Sequence, residues 1–304
     1  MKKLSLAVCI LLSLTLLFSF TACSEVENGV KIKYATVTFQ IGEDTTNTKD
    51  LTFKLYNYQF PGVGSAVEYV EKAADNGFYT GSVINTVETS WLTFGGYVLG
   101  DNGYNVNAME ATQGIFYANG FSGNTQSITN GTLIMYRDFN NKFNNATAYN
   151  SATGALAICT SASAPFTSSE YCILGNVIAE DLDTLEDLAE LRNSSDDEDE
   201  TVFNYYYVGG LEEMFGTDDK HLIDADFEAE EIEDIKEYAE RFVKASTLGI
   251  EATGVTKDIE DFAEFRTLAT KLISYTGGNI AEYFFTLPKE DVKVVGFTFT
   301  NKLK

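Results

Sequence analysis

This sequence offers little material for histidine-based catalysis or for a metal site. It holds one histidine, His221, which stands among Asp218, Asp219 and Asp224. A metal site needs several ligands at set spacings, and a lone histidine beside carboxylates is more typical of a solvated loop. The acidic run at 196–200 lacks the spaced ligands and the glycine of a calcium loop. We therefore expect no metal site and no cofactor.

The amino-terminal residues resemble a bacterial export and lipidation signal. Lysines precede an apolar run at 4–20, and the small residues Thr21 and Ala22 stand directly before Cys23. This order predicts a signal peptide over residues 1–22, and its end resembles a lipobox, whose cysteine is acylated. We expect a lipid on Cys23, a tether over residues 23–32, and a protein anchored to the extracytoplasmic face of the cell membrane. The alternative is an ordinary signal peptide in which Cys23 has no role.

Two further cysteines fall in segments with strand-like patterns. Cys159 and Cys172 each stand among apolar residues, on strands expected to be consecutive. An exported protein meets oxidising conditions, so a disulfide between them is one possibility. Buried free thiols are the simpler interpretation, because cysteine is among the most buried residue types.

Charge and composition exclude several classes of protein. The 304 residues carry 45 Asp and Glu against 21 Lys and Arg, a formal net charge of -24. A surface that neutralises phosphates is incompatible with this balance, so no nucleic-acid partner is expected. Aromatic residues make up 13% of the chain and there are only 3 prolines, which favours β-sheet over disorder.

Alternating apolar residues predict a mainly β protein. Residues 30–39 and 51–55 form the first antiparallel pair, and Ser65 caps a helix that ends at Gly77. Further short strands are predicted between loops rich in Gly and Asn, at 79–87, 91–99, 131–136, 154–160 and 171–178. Many short strands of this kind indicate a barrel or a sandwich.

The second half of the sequence changes to helical spacing before it returns to a strand. Thr184 is expected to cap a helix, the acidic run follows, and two amphipathic helices are predicted within 227–243 and 259–272. Alternation resumes only at 292–299. The helical section is therefore interpreted as an insertion before the last strand of the β domain.

Several segments, in this order, resemble the cyclophilin-type peptidyl-prolyl cis-trans isomerases, with this chain as a divergent bacterial lipoprotein member. Residues 76–81 are similar to the family's Gly-Phe-Tyr-Asp-Gly turn, and residues 131–137 to its Gly-Thr-Leu-Ser-Met-Ala-Arg stretch. Further matches are found at 66–70, 119–121, 150–153 and 174–178. The resemblance implies an eight-stranded antiparallel barrel capped by two helices. The domain would comprise residues 33–192 and 288–301, with an acidic linker and helical insertion at 193–287.

The resemblance also implies a chemistry, rotation about X-Pro amide bonds, and a site for it. In the family an Arg weakens the amide resonance, a Gln and an Asn hold the peptide backbone, and an apolar pocket takes the proline ring. Residues 84–96 are similar to the strand pair that carries the Arg, and Thr86 stands at the Arg position. The implied peptide pocket consists of Asn85, Trp91, Leu92, Phe94, Met135, Ala155, Leu156, Ala157, Phe166 and Tyr171.

The substitutions in this site argue against strong catalysis. Thr has no charge and cannot supply the guanidinium donors of Arg, while Phe94 replaces the Gln. Ala157 replaces a Phe, which would leave a void or a reshaped hollow, and Arg137 is interpreted as a surface residue. We expect a lipoprotein that binds peptides or exported protein segments, with weak or lost isomerase activity. The alternative is an active isomerase that assists the folding of exported proteins.

Overall fold

The structure is a computed structural model of the 304-residue chain. The residues that it describes are 25–59, 64–100, 103–109, 126–136, 152, 154–166, 171–192, 205–207, 209–215, 220–246, 256–277, 280 and 283–303. The predicted signal peptide, Cys23, Arg137 and the acidic run at 196–200 lie outside these ranges.

Eight antiparallel strands close into a barrel, as predicted. They are β2 (Val30–Ile41), β3 (Thr48–Asn57), β4 (Ser82–Val87), β5 (Trp91–Gly100), β7 (Thr132–Met135), β8 (Leu156–Cys159), β9 (Cys172–Val177) and β12 (Val292–Thr300). Their order around the barrel is β2-β12-β4-β5-β8-β7-β9-β3, and pairing of β3 with β2 closes the ring. The last strand of the chain thus lies between β2 and β4, so the carboxyl terminus completes the barrel.

Two short strands extend this sheet. β1 (Val26–Glu27) pairs with β2, and β6 (Gly103–Val106) pairs with the far end of β5. The β1–β2 turn is Asn28-Gly29, and both residues have positive φ, which is the geometry of the two-residue hairpin turn that favours Asn-Gly. Strand structure thus begins at Val26, inside the segment 23–32 that was expected to be a tether.

A bulge in β12 explains an irregularity in its sequence pattern. Val292 and Val294 are fully buried, and Phe297 and Phe299 pack against the same core. The spacing from Val294 to Phe297 is three residues, which in a regular strand would put these two side chains on opposite faces. The register shifts between Val294 and Gly296, which leaves Val295 as the extra, exposed residue. The extra residue restores the inward direction for the two phenylalanines.

Helices cover the barrel and extend its core. In α1 (Ala66–Asp75), Ser65 Oγ accepts from the backbone N–H groups of Val67 and Glu68, at 3.1 and 3.4 Å, as the predicted N-cap does. α2 (Leu182–Ala189) buries Leu185 and Leu188.

Thr184 does not cap α2, which corrects the sequence prediction. A 3-10 turn (Ala179–Asp181) precedes this helix and brings its start to Leu182, so Thr184 already lies within it. Asp181 occupies the cap position, and its Oδ2 accepts instead from the backbone N–H of Thr52, at 2.7 Å.

The insertion before β12 has a core of its own. It contains β10 (Tyr205–Tyr207), a 3-10 turn (Leu211–Met214), α3 (Lys220–Asp224), α4 (Ala229–Ser246), α5 (Thr256–Thr276) and β11 (Phe284–Thr286). The two long helices match the two predicted amphipathic segments. Phe265 lies at the centre of this core, with ring centroids 4.9 Å from Tyr207 and 5.5 Å from both Phe242 and Phe284.

Both ends of the insertion meet at one place on the barrel. Arg192, after α2, forms an antiparallel bridge with Pro288, and the N–H of Lys289 donates to the carbonyl of Leu191 at 2.7 Å. Inside these ends, β10 and β11 pair along three residues each and form the neck of the insertion. No helix among the described residues is long and apolar enough to cross a membrane.

Candidate functional site

The strand pair β4–β5 carries the segment in which the resemblance places the catalytic arginine. Thr86 pairs with Thr93, and register shifts on both sides of Ile84 distort the ladder at this point. Ile84 belongs to the barrel interior, whereas Asn85, Thr86 and Thr93 form a polar group linked by hydrogen bonds. Asn85 Nδ2 donates to Thr86 Oγ1 at 3.0 Å, and Thr93 Oγ1 donates to Asn85 Oδ1 at 3.3 Å.

This polar group is neutral and shielded from water. Asn85, Thr86 and Thr93 are only 5%, 3% and 5% exposed. The strands β4, β5, β7, β8 and β9 contain no Arg, Lys, Asp or Glu. None of these strands can therefore supply a cation in place of the arginine that the resemblance puts at position 86.

Aromatic rings form a second cluster on the outer side of the barrel. Phe166 makes edge contacts with Trp91 and Tyr171, at centroid distances of 5.3 and 4.9 Å, and Trp91 stacks on Tyr136 at 6.0 Å. Trp91, Phe166 and Tyr171 are buried, while Tyr136 is partly exposed. Edge-to-face and offset arrangements are the favourable geometries for such rings, so the cluster is well packed.

Ala157, expected to leave a void or a reshaped hollow, lies in the aromatic cluster. It is fully buried in the same outer cluster as Trp91, Phe166 and Tyr171. On β8 it pairs with Thr93 of β5 and with Ile134 of β7. A phenylalanine side chain at position 157 would therefore have to fit among buried side chains.

Four of the predicted pocket residues lie on the other side of the sheet, which corrects the predicted lining. Leu92, Phe94, Met135 and Leu156 are 0% exposed and belong to the core inside the barrel. Successive side chains of a strand point to opposite faces, so Leu92 cannot share a face with Trp91, nor Leu156 with Ala157. The outer cluster instead includes Ile134, which the sequence analysis did not name.

Ala155 lies at the edge of this region and contacts it through its backbone. Its carbonyl accepts from the N–H of Tyr136 at 2.9 Å. A Cβ added to Gly96 would lie 3.0 Å from that of Ala155, so the two strands approach closely here. The structure thus brings together Asn85 and Thr86 in one group, and Trp91, Ala157, Phe166 and Tyr171 in another.

The two cysteines on the strands are free thiols on opposite faces. Cys159 belongs to the outer cluster and Cys172 to the barrel interior, and β7 separates their strands. The alternative of a disulfide between them is therefore wrong. Burial raises the pKa of each thiol to about 12, which keeps both in the unreactive protonated form.

The backbone of His221, for which no metal role is expected, lies in the short helix α3 of the insertion. The neighbouring Asp218 and Asp219 are outside the described residues. Within the described parts of the chain, no three His, Cys, Asp or Glu side chains are grouped so that they could hold a metal ion.

Comparison with known proteins gives one family and several similar structures. The family model "Cyclophilin type peptidyl-prolyl cis-trans isomerase/CLD" matches residues 38–204, more than half of the chain. No curated protein matches the sequence significantly.

The similar solved structures are those of cyclophilins. The crystal structure of a Cryptosporidium parvum cyclophilin-type isomerase is 16% identical, with a TM-score of 0.36, over 54% of this chain and 88% of that one. A second structure of that protein, in the presence of the dipeptide Ala-Pro, is 15% identical, with a TM-score of 0.35, over 53% of this chain and 88% of that one. The Mimivirus cyclophilin is 16% identical, with a TM-score of 0.36, over 57% of this chain and 86% of its own. On the evidence of the family model, with which the eight-stranded barrel is consistent, this chain belongs to the cyclophilin-type peptidyl-prolyl cis-trans isomerase family.

Proposed function

We propose that this protein is an extracytoplasmic lipoprotein whose cyclophilin-type domain binds peptides or segments of exported proteins, with weak or no isomerase activity. The observation that carries the proposal is Thr86. It stands where the family resemblance places the catalytic arginine, and its hydroxyl accepts a hydrogen bond from Asn85 within a buried, neutral group.

The charge at this position decides the chemistry. The barrier to rotation about the X-Pro bond arises from resonance between the nitrogen lone pair and the carbonyl, and a cationic donor directed at the nitrogen weakens it. A threonine hydroxyl is neutral and short, and the strands β4, β5, β7, β8 and β9 contain no charged residue. Loss of one preorganised electrostatic donor typically costs about 100- to 1000-fold in rate.

Peptide binding does not need that charge. The outer face carries the rings of Trp91, Tyr136 and Phe166. Tyr136 is partly exposed and can contact an apolar or proline side chain directly, whereas Trp91 and Phe166 are buried and pack around it. Trp91 is the only tryptophan in the chain, so its fluorescence reports on this face without labelling.

A titration of the chain from Glu25 onward with proline-containing peptides tests the binding function. We expect a saturable change in Trp91 emission, and a smaller change with matched peptides in which alanine replaces proline. Unchanged emission up to millimolar peptide, together with unchanged amide NMR shifts of residues 91–94 and 132–136, would contradict peptide binding on this face.

The second candidate function is an active isomerase that assists the folding of exported proteins. Family membership favours it, because the family chemistry is X-Pro rotation. It requires the Thr86 hydroxyl, or a group outside the described residues, to do what the arginine does in the family.

The anchor part of the proposal rests on Cys23. In the fold, the carbonyl of Glu25 accepts from the N–H of Ile32 at 2.8 Å, and Glu27 and Lys54 form an ion pair. Only Ser24 then separates the proposed lipid from Glu25, the first described residue, so the barrel would lie directly at the bilayer.

Replacement of Cys23 with Ala tests the anchor. We expect the Cys23→Ala protein to appear in the soluble fraction or to accumulate as an unprocessed precursor. A Cys23→Ala protein that is processed normally and stays with the membrane would contradict the lipid anchor. Cys9→Ala, which changes a cysteine within the apolar run, is the matched control and should behave as the wild type.

A further inference from the structure

The neck of the insertion lies against the candidate site. Strand β11 runs beside β4, and the hydroxyl of Thr286 on β11 donates to the carboxylate of Glu88, the residue that follows β4. These two residues are 198 positions apart in the sequence, so the contact joins the insertion to the strand pair that carries Thr86.

Aromatic packing seats the neck on the neighbouring hairpin. The ring of Phe285 lies 4.6 Å from that of Tyr97 on β5 and 6.2 Å from that of Tyr104 on β6, in edge contacts. Phe285, Thr286 and the following Leu287 are only 5%, 4% and 3% exposed. The end of β11 and the residue after it are therefore packed against the barrel, whereas Phe284 belongs to the core of the insertion.

Burial of the polar group on β4 and β5 indicates a cover. The outer side of an antiparallel barrel is usually solvated, and its outward residues are then polar and exposed. Asn85, Thr86 and Thr93 are polar, as expected for outward residues, yet they are buried. All six residues of β4 are buried, so neither face of this strand is open to solvent. β11 contacts β4 and is bonded to the residue that follows it, so it is a candidate for part of this cover.

Glu88 connects this contact to the aromatic face. Its backbone N–H donates to the carbonyl of Trp91 at 2.7 Å and closes the β4–β5 turn. Its side chain accepts from Thr286, so one residue is bonded both to the neck and to the residue that begins the aromatic cluster. Movement of the neck would thus change the position of the turn that carries Trp91.

We propose that β11 is a built-in latch of the peptide site, in which Thr286 holds Glu88 and Glu88 acts as a positioning residue for the turn of Trp91. The role of the latch rests on the proposed peptide-binding function, whereas the contact between Thr286 and Glu88 is independent of it. It makes the insertion the element that determines how far the outer face of β4 and β5 is open to an extended chain.

Two substitutions that keep side-chain size test the latch in the chain from Glu25 onward. Thr286→Val removes the donor, and Glu88→Met removes the acceptor. Thr298→Val is the matched control, because Thr298 is an exposed threonine on β12. Two readouts need no peptide: hydrogen exchange of the amides in 84–94, and quenching of Trp91 by acrylamide.

Loss of this hydrogen bond should raise the opening equilibrium, and with it the exchange rate of residues 84–94, about fivefold in either variant. The double variant should exchange no faster than the faster single variant, because both substitutions remove the same bond. Trp91 should become more accessible to acrylamide in all three. The latch is refuted if Thr286→Val matches Thr298→Val in both exchange and quenching.

Peptide titration of the same variants separates the latch from the binding function. Tighter peptide binding by Thr286→Val than by the wild type supports the latch as a control of access. Faster hydrogen exchange in Thr286→Val with unchanged peptide affinity would show that the contact does not control access to the peptide site, which overturns the latch. Faster exchange with no peptide binding by any variant supports the latch and refutes the proposed peptide-binding function instead.

Discussion

Replacement of Gly175 with Ala should open the barrel between β3 and β9. A Cβ at this position would lie 2.1 Å from the carbonyl oxygen of Lys54 and 2.8 Å from Cα of Leu55, both backbone atoms of the paired strand β3. The usual carbon–oxygen contact is about 3.3 Å or longer, so β3 would have to move by more than about 1 Å. Only three residue pairs join β9 to β3, at Phe53↔Val177, Lys54↔Asn176 and Leu55↔Gly175.

The expected loss of stability follows from the hydrogen bonds between β3 and β9. A shift of about 1 Å exceeds the range of N–H···O distances, so two or three hydrogen bonds at about 1 kcal/mol each are lost, in addition to packing. We expect the free energy of unfolding to fall by about 3 kcal/mol or more, measured by urea denaturation of the chain from Glu25 onward.

Gly296→Ala is the matched control for this change. Gly296 also lies on a barrel strand, but its added Cβ would meet only the side chain of Thr38, at 3.3 Å from Oγ1 and 3.4 Å from Cβ, and no backbone atom. It should therefore cost about 1 kcal/mol or less. If the free energy of unfolding of Gly175→Ala lies within about 1 kcal/mol of the wild-type value, the close approach of β3 and β9 does not limit stability and the reasoning is refuted.

Two further predictions follow from the helix cap and the buried thiols. Ser65→Ala should lower the free energy of unfolding by about 1 kcal/mol, because the first turn of α1 loses its acceptor, whereas Ser65→Thr should keep most of it; equal stability of all three proteins in urea would contradict the capping role. The pKa of both thiols is about 12, so at pH 8 roughly one molecule in ten thousand holds a thiolate at either site. A thiol reagent should therefore label no cysteine in the folded chain from Glu25 onward, and both cysteines after denaturation. The thiolate fraction rises with pH, so reaction should accelerate towards pH 10, and rapid labelling of the folded protein at pH 8 would contradict the burial of these groups.

The elements of the barrel could be predicted because their signals are local. Alternation of apolar residues located the strands, and helical spacing with Ser65 as a cap located α1. The hairpin of β1 was missed although its signal, Asn28-Gly29, is present in the sequence; the lipobox interpretation assigned those residues to a tether. The cap of α2 was misplaced because a 3-10 turn before it supplies the first turn without a typical capping residue.

The candidate site was only partly predictable. Motif similarity assigned neighbours such as Trp91 and Leu92 to one pocket, although the period of two in a strand sends them to opposite faces. Stricter use of that period would have grouped Thr93 with Trp91. The contact between Thr286 and Glu88 has no local signal, because it depends on how the insertion returns to the barrel.

The central claim is that replacement of the catalytic arginine by Thr86 leaves little isomerase activity. A protease-coupled assay of X-Pro isomerisation tests it most directly, with the chain from Glu25 onward, its Thr86→Ala and Thr86→Arg variants, and an intact cyclophilin as reference. We expect wild-type turnover at least about 100-fold below the reference, no further loss in Thr86→Ala, and little gain in Thr86→Arg, since that charge would enter a site only 3% exposed. Wild-type turnover close to the reference that disappears in Thr86→Ala would contradict the account and make the Thr86 hydroxyl a catalytic group.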